Sequence, residues 1–454
     1  MSYLYVSEAK NMTNTITTAN IGFSLELSEL DFNSLYSGLK LGDLFSFETQ
    51  LQGFLRVFYT QICESYLVDL INDTFYSKKL KELATEKGFK KLSRRTTTLQ
   101  LGNGIRINYV DYYAEEVPLG YTGERFLSHL YFKNVGKSSL FYTGIVSELS
   151  LLTPSFEVGK RVLADVGIAS NSENNRLLSL KLGNLGLENR VGNMLAPSEN
   201  VADKRVIIGI DGGRTRTRDW KEKEKEDDYG DFNTPWVEPK LLVISYLDKE
   251  GKMEKKELPI YDACFGDDEL IALLSEYLGR LEIDKAASVQ VVADGAIWIW
   301  NRVKPMLLNL GVKEEKIVET VDYYHAVEHL TELKALLPKE IQEQTIKEAK
   351  EQLWKGDIPK MKTILLDKMT QQDKEQILDL QYFEKNIHRM QYQKLDQEKL
   401  PVGSGIVESA IRRVINLRFK CPSAFWNKEN LEPLFFLRAV FLAGRRNIFF
   451  NNLN

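Results

Sequence analysis

Two short runs constrain this chain more than anything else in it: RVIIGIDGG at 205–213 and SVQVVADGA at 288–296. Each is apolar almost without a break and too short for a buried helix, so each reads as a strand covered on both faces. Each closes on an aspartate followed by glycine, Asp211-Gly212 and Asp294-Gly295. Glycine lets the backbone turn there and leaves the carboxylate at the sheet edge. Strands of this kind predict an α/β sheet wrapped by helices, with its chemistry outside the carboxyl ends of the strands.

The segments around these runs fill in the sheet. KLLVISYLDKEGKMEKKELPIYDACF (240–265) predicts two strands joined by a turn at Asp248–Gly251, and DDELIALLSEYLGRLEI predicts a helix with acids in its first turn. IWIWNRVKPMLLNLG is helical, with a kink or break expected at Pro305. KIVETVDYYHAVEHL predicts another strand and then a helix, and 326–400 is helical and highly charged. RTRTRDWKEKEKEDDYGDFNTPWVEP (214–239) predicts an exposed loop. Glu408 lies just inside a helix that opens through Gly403-Ser404-Gly405, so a third carboxylate stands near a helix N-terminus.

Ahead of this core the texture differs. FETQLQGFLRVFYTQICESYLVDLIN (47–72) predicts a helix, and a Gly-Asn-Gly turn inside alternating Thr, Leu, Ile and Tyr predicts a hairpin at about 95–115. Two helical patterns broken at Val166-Gly167 fit a helix-turn-helix over 155–183, or equally an ordinary helical hairpin. NMLAPSENVADKR (193–205) reads as a linker. The expected division is therefore an N-terminal region, 1–195, mostly helical with a small β hairpin, and a core, 205–454.

Composition narrows the chemistry. Cys63, Cys264 and Cys421 lie far apart, which excludes a disulfide framework and a cysteine-built zinc site and fits a reducing cytoplasm. Only four histidines are present, so any metal must be held by carboxylates, pointing to Mg²⁺ or Mn²⁺. No run is long and apolar enough for a membrane span, and the N-terminus has no signal-peptide pattern. The net charge of −4 argues against a nucleic-acid partner on average, yet Lys78–Arg95 holds eight bases against two acids. The segment from Pro401 onward holds eight bases against three acids. Local basic patches, including Lys90, Lys91, Arg94 and Arg95, are what DNA responds to.

Taken in order, IGIDGGR, VVADGAIWIWN, VDYYHAVEHL and LPVGSGIVESAIRRVINLRFK resemble the conserved blocks of DDE transposases from bacterial insertion sequences, a group distantly related to Mutator-like elements. The resemblance spans about 205–450. It implies a ribonuclease H-like mixed sheet with an all-helical insertion at about 326–400, and Asp211, Asp294 and Glu408 as catalytic residues and ligands of two Mg²⁺ (or Mn²⁺) ions. It further implies cleavage of double-stranded DNA at transposon ends, transfer of the 3′-OH into target DNA, and a homo-oligomer on DNA in the nucleoid. His325 and Asp322 are candidate accessory residues, and Arg412 and Arg413 candidate DNA contacts. Trp298 and Trp300 are candidates for base stacking, with core packing the competing role. Two other readings stay open: a nuclease of the same fold that only hydrolyses, and a domesticated DNA-binding protein without catalysis.

Overall fold

The computed structural model describes residues 3–7, 18–22, 44–221, 231–369, 379–422 and 424–453. They fall into two compact units, Met1–Leu119 and Gly120–Asn454.

In the first unit, Tyr3–Ser7 pairs antiparallel with Thr18–Gly22. Helix α1 (Leu44–Asn72) follows, then α2 (Thr74–Glu86), whose N-terminus is capped by Asp73 accepting from the Tyr76 N–H at 2.9 Å. The predicted hairpin is longer than its alternating apolar pattern suggested: Lys90–Gln100 pairs with Arg106–Glu116. Its first strand takes in the basic end of the Lys78–Arg95 stretch, because the opposite strand supplies the partners. Arg94 lies over the Tyr112 ring and Arg95 over that of Tyr113, at 5.1 and 4.3 Å. Arg95 also pairs with Glu115 at 2.9 Å, and Lys91 with Glu116. Acids distant in sequence thus offset part of the local positive charge.

In the second unit a short helix, Leu127–Tyr131, is followed by three capped helices, α3 (Leu140–Leu152), α4 (Phe156–Asp165) and α5 (Ser172–Leu187). Ser139, Ser155 and Asn171 each accept a backbone N–H from three residues on, as N-cap residues do. A Cβ on Gly183 would stand 2.5 Å from the Pro433 carbonyl oxygen, and one on Gly186 2.5 Å from the Phe436 ring. Helix α5 is therefore sunk against the helix Leu431–Leu442, leaving open only a stripe of Glu173, Asn174, Leu177, Lys181 and Asn184. The stretch read as a linker is pinned too, with Met194, Leu195 and Val201 buried. No break between compact units falls at 195–205.

The sheet has five strands: β1 (Arg205–Gly212), β2 (Lys240–Leu247), β3 (Ile260–Cys264), β4 (Ser288–Ala293) and β5 (Ile317–Val321). Their spatial order is β3-β2-β1-β4-β5. The β3-β2 and β2-β1 pairs are antiparallel, while β4 is parallel to both β1 and β5. A mixed sheet of this order among many helices is consistent with a ribonuclease H-like arrangement. Helices α6 (Asp267–Arg280) and α7 (Ile297–Asn309) follow the strands as expected. Of the kink or break expected at Pro305, a break does not occur: α7 runs through it, and buried Val303, Met306 and Leu307 anchor the helix on both sides of the proline.

The charged excursion 214–239 also differs from expectation. Thr215–Arg216 pairs with Trp236–Val237, and Asp219–Trp220 with Phe232–Asn233, making a two-stranded ribbon. The reason lies in Arg214-Thr215-Arg216-Thr217-Arg218, where the threonines are buried and the arginines exposed in strict alternation. Thr215 Oγ1 donates to the Phe419 carbonyl at 2.7 Å. The most charged part, 222–230, lies outside the described residues.

After β5 come α8 (Tyr323–Glu332), α9 (Gln342–Lys355) and α10 (Ile358–Lys368), then shorter helices at Asp379–Lys385 and Tyr392–Gln397. Among the described residues of 326–400 there is no strand; 370–378 lie outside them. Helix α11 (Gly405–Ile411) continues into a π-helical turn at Arg412–Asn416. Helices α12 (Leu431–Leu442) and α13 (Arg446–Leu453) close the unit. No helix among the described residues is long and apolar enough to cross a membrane.

Two glycines let α11 and the π-helical turn after it lie directly on the central strand and the residue that follows it. A Cβ on Gly209 would stand 2.8 Å from Val407 Cβ, and one on Gly213 2.8 Å from Ile415 Cδ1. Gly209→Ala is expected to destabilise the protein by about 1–3 kcal/mol through overpacking. The double variant Gly209→Ala/Val407→Ala should recover part of that loss in chemical denaturation, and strictly additive costs would show that the two positions do not press on each other.

Candidate active site

Asp211 sits at the end of β1, opposite Leu241 of β2, and Asp294 follows the last residue of the adjacent β4. Contrary to the turn expected at Gly212, β1 runs on through that glycine, which pairs with Lys240, whereas the chain leaves the sheet at Asp294; each carboxylate accepts from a backbone N–H just after it. Asp211 Oδ1 accepts from the Gly212 N–H at 2.6 Å, and Asp294 Oδ1 from the Ala296 N–H at 2.9 Å. Burial pushes the Asp211 carboxyl up to about 6; the Gly212 hydrogen bond opposes this, while the charges of Asp294 and Glu238 raise it further and His325 lowers it. A carboxylate this poorly solvated, crowded by two others, is a place where a cation is wanted.

Glu238 escaped the sequence reading. It precedes β2 in the ribbon that runs antiparallel to the segment after Asp211, and a Cβ on Gly212 would stand 2.2 Å from its Oε1. Lys240 Nζ holds the Glu238 carboxylate at 2.6 Å and lies 5.4 Å from the centre of the Trp298 ring. The RTRTR alternation at 214–218, which implies a returning strand, was the available signal for Glu238. Tyr382 was missed as well. A Cβ on Gly295 would stand 2.1 Å from its ring, and burial, with the charges of Asp294 and Asp322, raises its hydroxyl pKa well above the ordinary range. Only the fold brings this tyrosine from the helical insertion to Asp294.

Asp322 is a clamp. It is buried; its Oδ1 caps α8 by accepting the His325 N–H at 3.0 Å, and its Oδ2 accepts the Ser404 N–H at 2.6 Å and the Ser404 hydroxyl. The end of β5 is thereby tied to the glycine-rich turn that opens α11. His325 is half-exposed, 3.5 Å from Glu328 and edge-on to His329 at 4.8 Å; His329 in turn packs on Tyr382 at 4.4 Å.

Glu408 is exposed in the first turn of α11, one residue past the Val407 that seats on Gly209. The structure brings Asp211 and Asp294 together and does not bring Glu408 into their cluster. Among the described residues no three His, Cys, Asp or Glu side chains converge closely enough to hold a metal ion. Asp211 and Asp294 have the hard oxygen donors that Mg²⁺ or Mn²⁺ prefers, and the crowding that a cation relieves, so as a pair they fit such an ion.

The other candidates divide. Trp300 is buried in the core with the Arg389 guanidinium 4.6 Å from its ring centre, and Trp298 is partly buried and packed against the core. Arg412 is exposed; Arg413 is folded back, donating to the Tyr261 hydroxyl at 2.9 Å and the Ser409 carbonyl at 3.3 Å. Lys90, Lys91, Arg94 and Arg95 belong to the hairpin of the first unit.

No family model matches the chain, and no curated protein does. A solved structure, the Drosophila P element transposase strand transfer complex, is similar at 13% identity over 70% of this chain and 83% of that one, with a TM-score of 0.26. At that score the likeness decides neither fold nor function.

Proposed function

We propose that this chain is a DDE transposase with a ribonuclease H-like core, cleaving DNA at the ends of a mobile element and joining the 3′-OH to target DNA. The observation that carries the reading is the pair Asp211 and Asp294, at the carboxyl ends of two adjacent parallel strands and close enough for one charge to disfavour the other. A binding protein gains nothing from such a pair, whereas phosphoryl transfer uses acids in this position.

Asp211 and Asp294 would hold Mg²⁺ or Mn²⁺, with Glu408 as the third acid of the reading. When bound, a metal pair supplies an activated oxygen nucleophile and stabilises the leaving oxygen. The protein's own part is positional. The backbone N–H groups of Gly212 and Ala296 aim the Asp211 and Asp294 carboxylates, and Gly209 seats the helix that carries Glu408. Asp322 fixes the turn at that helix's start. Glu238 and His325 set the charge around Asp211 from opposite signs.

The N-terminal region, 1–195, is proposed to recognise the element's ends, and the protein to act on double-stranded DNA as a homo-oligomer in the nucleoid. The test is the full chain incubated with the coding region and its flanking DNA, with Mg²⁺ or without. Cleavage at defined flanking sites together with joined products is the expected result. Cleavage without joining leaves a nuclease, and binding with neither reaction sinks the enzymatic reading.

A further inference from the structure

A pocket of about 510 Å³ lies where α4, α5 and the segment following residue 417 meet the ribbon, and none of the carboxylates described above lines it. Its wall includes Arg418, which is 3% exposed. The Arg418 guanidinium donates through Nη1 to the Pro154 carbonyl at 3.1 Å, while its Nε and Nη2 have no hydrogen-bond partner. It lies between aromatic rings, 4.7 Å from the centre of Phe156 and 5.2 Å from that of Trp426. Burial pushes its pKa down to about 10, and the influence opposing this is a thiol, Cys421, rather than a carboxylate. Cation–π contacts of this kind recover only part of the cost of a buried guanidinium with open donors.

The rest of the lining has the same sign. Arg218 and Arg176 face the pocket, and Glu173 is the one acid among its lining residues. Arg176 already holds Glu173 in a two-pronged contact at 3.0 and 2.6 Å, so that carboxylate does not answer Arg418. The Trp426 indole Nε1 is likewise buried without a partner.

We infer that this pocket binds a phosphate group, taken up by Arg418 and Arg218 with the Trp426 indole N–H as a neutral donor. The inference stands apart from the catalytic reading. Phosphate suits the pocket because its oxygens offer several acceptors around one centre, which the forked guanidinium donors match. The volume exceeds what phosphate needs, so its source is either a free phosphate or a phosphodiester of a nucleic-acid strand.

The full chain would be titrated calorimetrically with inorganic phosphate, with chloride at equal ionic strength, and with a single-stranded oligodeoxynucleotide lacking terminal phosphates. Arg218→Gln, at an exposed position, is expected to weaken phosphate binding about tenfold, the scale of a lost charge-assisted hydrogen bond. Arg418→Gln should abolish it, and Arg161→Gln, on the exposed face of α4, should leave it unchanged. Should Arg418→Gln fail to fold, Arg218→Gln alone decides. An oligonucleotide that displaces phosphate identifies the diester as ligand, and one that does not identifies free phosphate. Binding no stronger than chloride, or equal binding by wild type and Arg218→Gln, overturns the proposal.

Discussion

Asp211→Asn is expected to reduce metal-dependent cleavage by about a thousandfold or more and at the same time to stabilise the metal-free protein. The loss follows from removing one carboxylate from the pair that would hold the metal, at almost constant volume. The gain follows from burial and from the neighbouring charges of Asp294 and Glu238, which raise the Asp211 carboxyl from 3.8 to about 6. A carboxyl raised on folding carries a penalty that is absent below its unfolded pKa and complete above its folded one. The variant's advantage should therefore vanish near pH 4 and reach about 1–3 kcal/mol at pH 8, somewhat reduced by loss of the charge-assisted bond from Gly212. Asp294→Asn should lose cleavage similarly, and in that variant the Asp211 penalty should shrink. Cleavage of an end-bearing duplex, with chemical denaturation in EDTA at the two pH values, reads both effects. A folded Asp211→Asn protein that cuts normally would remove this residue from the chemistry. One that is less stable than wild type at pH 8 would remove the electrostatic account.

What sequence could and could not reveal divides along physical lines. The strands β1 and β4 were legible because a short, almost unbroken apolar run between polar flanks has few other uses, and the aspartates were legible because each closes such a run. The ribbon at 214–239 was hidden behind its charge. Its RTRTR alternation has the period of a strand, but the threonines contribute too little hydrophobicity to mark a buried face. The hairpin's early start at Lys90 was invisible for a related reason: Tyr112, Tyr113, Glu115 and Glu116, which make a basic strand tenable, come more than ten residues later. At Pro305 local backbone preference left a break open, and the side chains that anchor the helix around it decide against one.

The site shows the same limit. Local pattern located Asp211, Asp294 and Asp322, but the role of Asp322 as a clamp on Ser404 depends on a contact spanning 82 residues. Glu238 and Tyr382 lie in segments with no pattern of their own and reach the aspartates only through the pairing of β1 with β2 and the return of the helical insertion. At 195–205 proline, serine and charge mark an irregular path, which need not be an exposed one. Here the path is buried by what Arg445 holds.

Arg445→Met is expected to destabilise the protein by about 3–5 kcal/mol, the usual result of breaking one side of a buried ion pair. Arg445 is fully buried, and all five of its guanidinium N–H groups are engaged. Two go to the carboxylate oxygens of Glu199 at 2.8 and 2.7 Å. The others reach the carbonyls of Met194 at 3.1 Å, Leu258 at 2.6 Å and Pro259 at 2.7 Å. One side chain thus joins the stretch before β1, the turn before β3 and the start of α13. Methionine fills most of the space but strands a buried carboxylate and three carbonyls, and lysine lacks the fork to replace the set. Burial alone would raise the Glu199 carboxyl; the hydrogen bonds and charge of Arg445 outweigh it and hold the group below its ordinary 4.5. The stability from the pair is therefore complete above pH 4.5 and is lost as the pH falls through the folded value. The gap between wild type and Arg445→Met should accordingly be widest near pH 7 and narrow towards pH 3, with Glu199→Gln intermediate at pH 7. Urea unfolding at both pH values measures this. A variant within about 1 kcal/mol of wild type at pH 7 would mean that the stretch before β1 is held by apolar burial of Met194, Leu195 and Val201 instead.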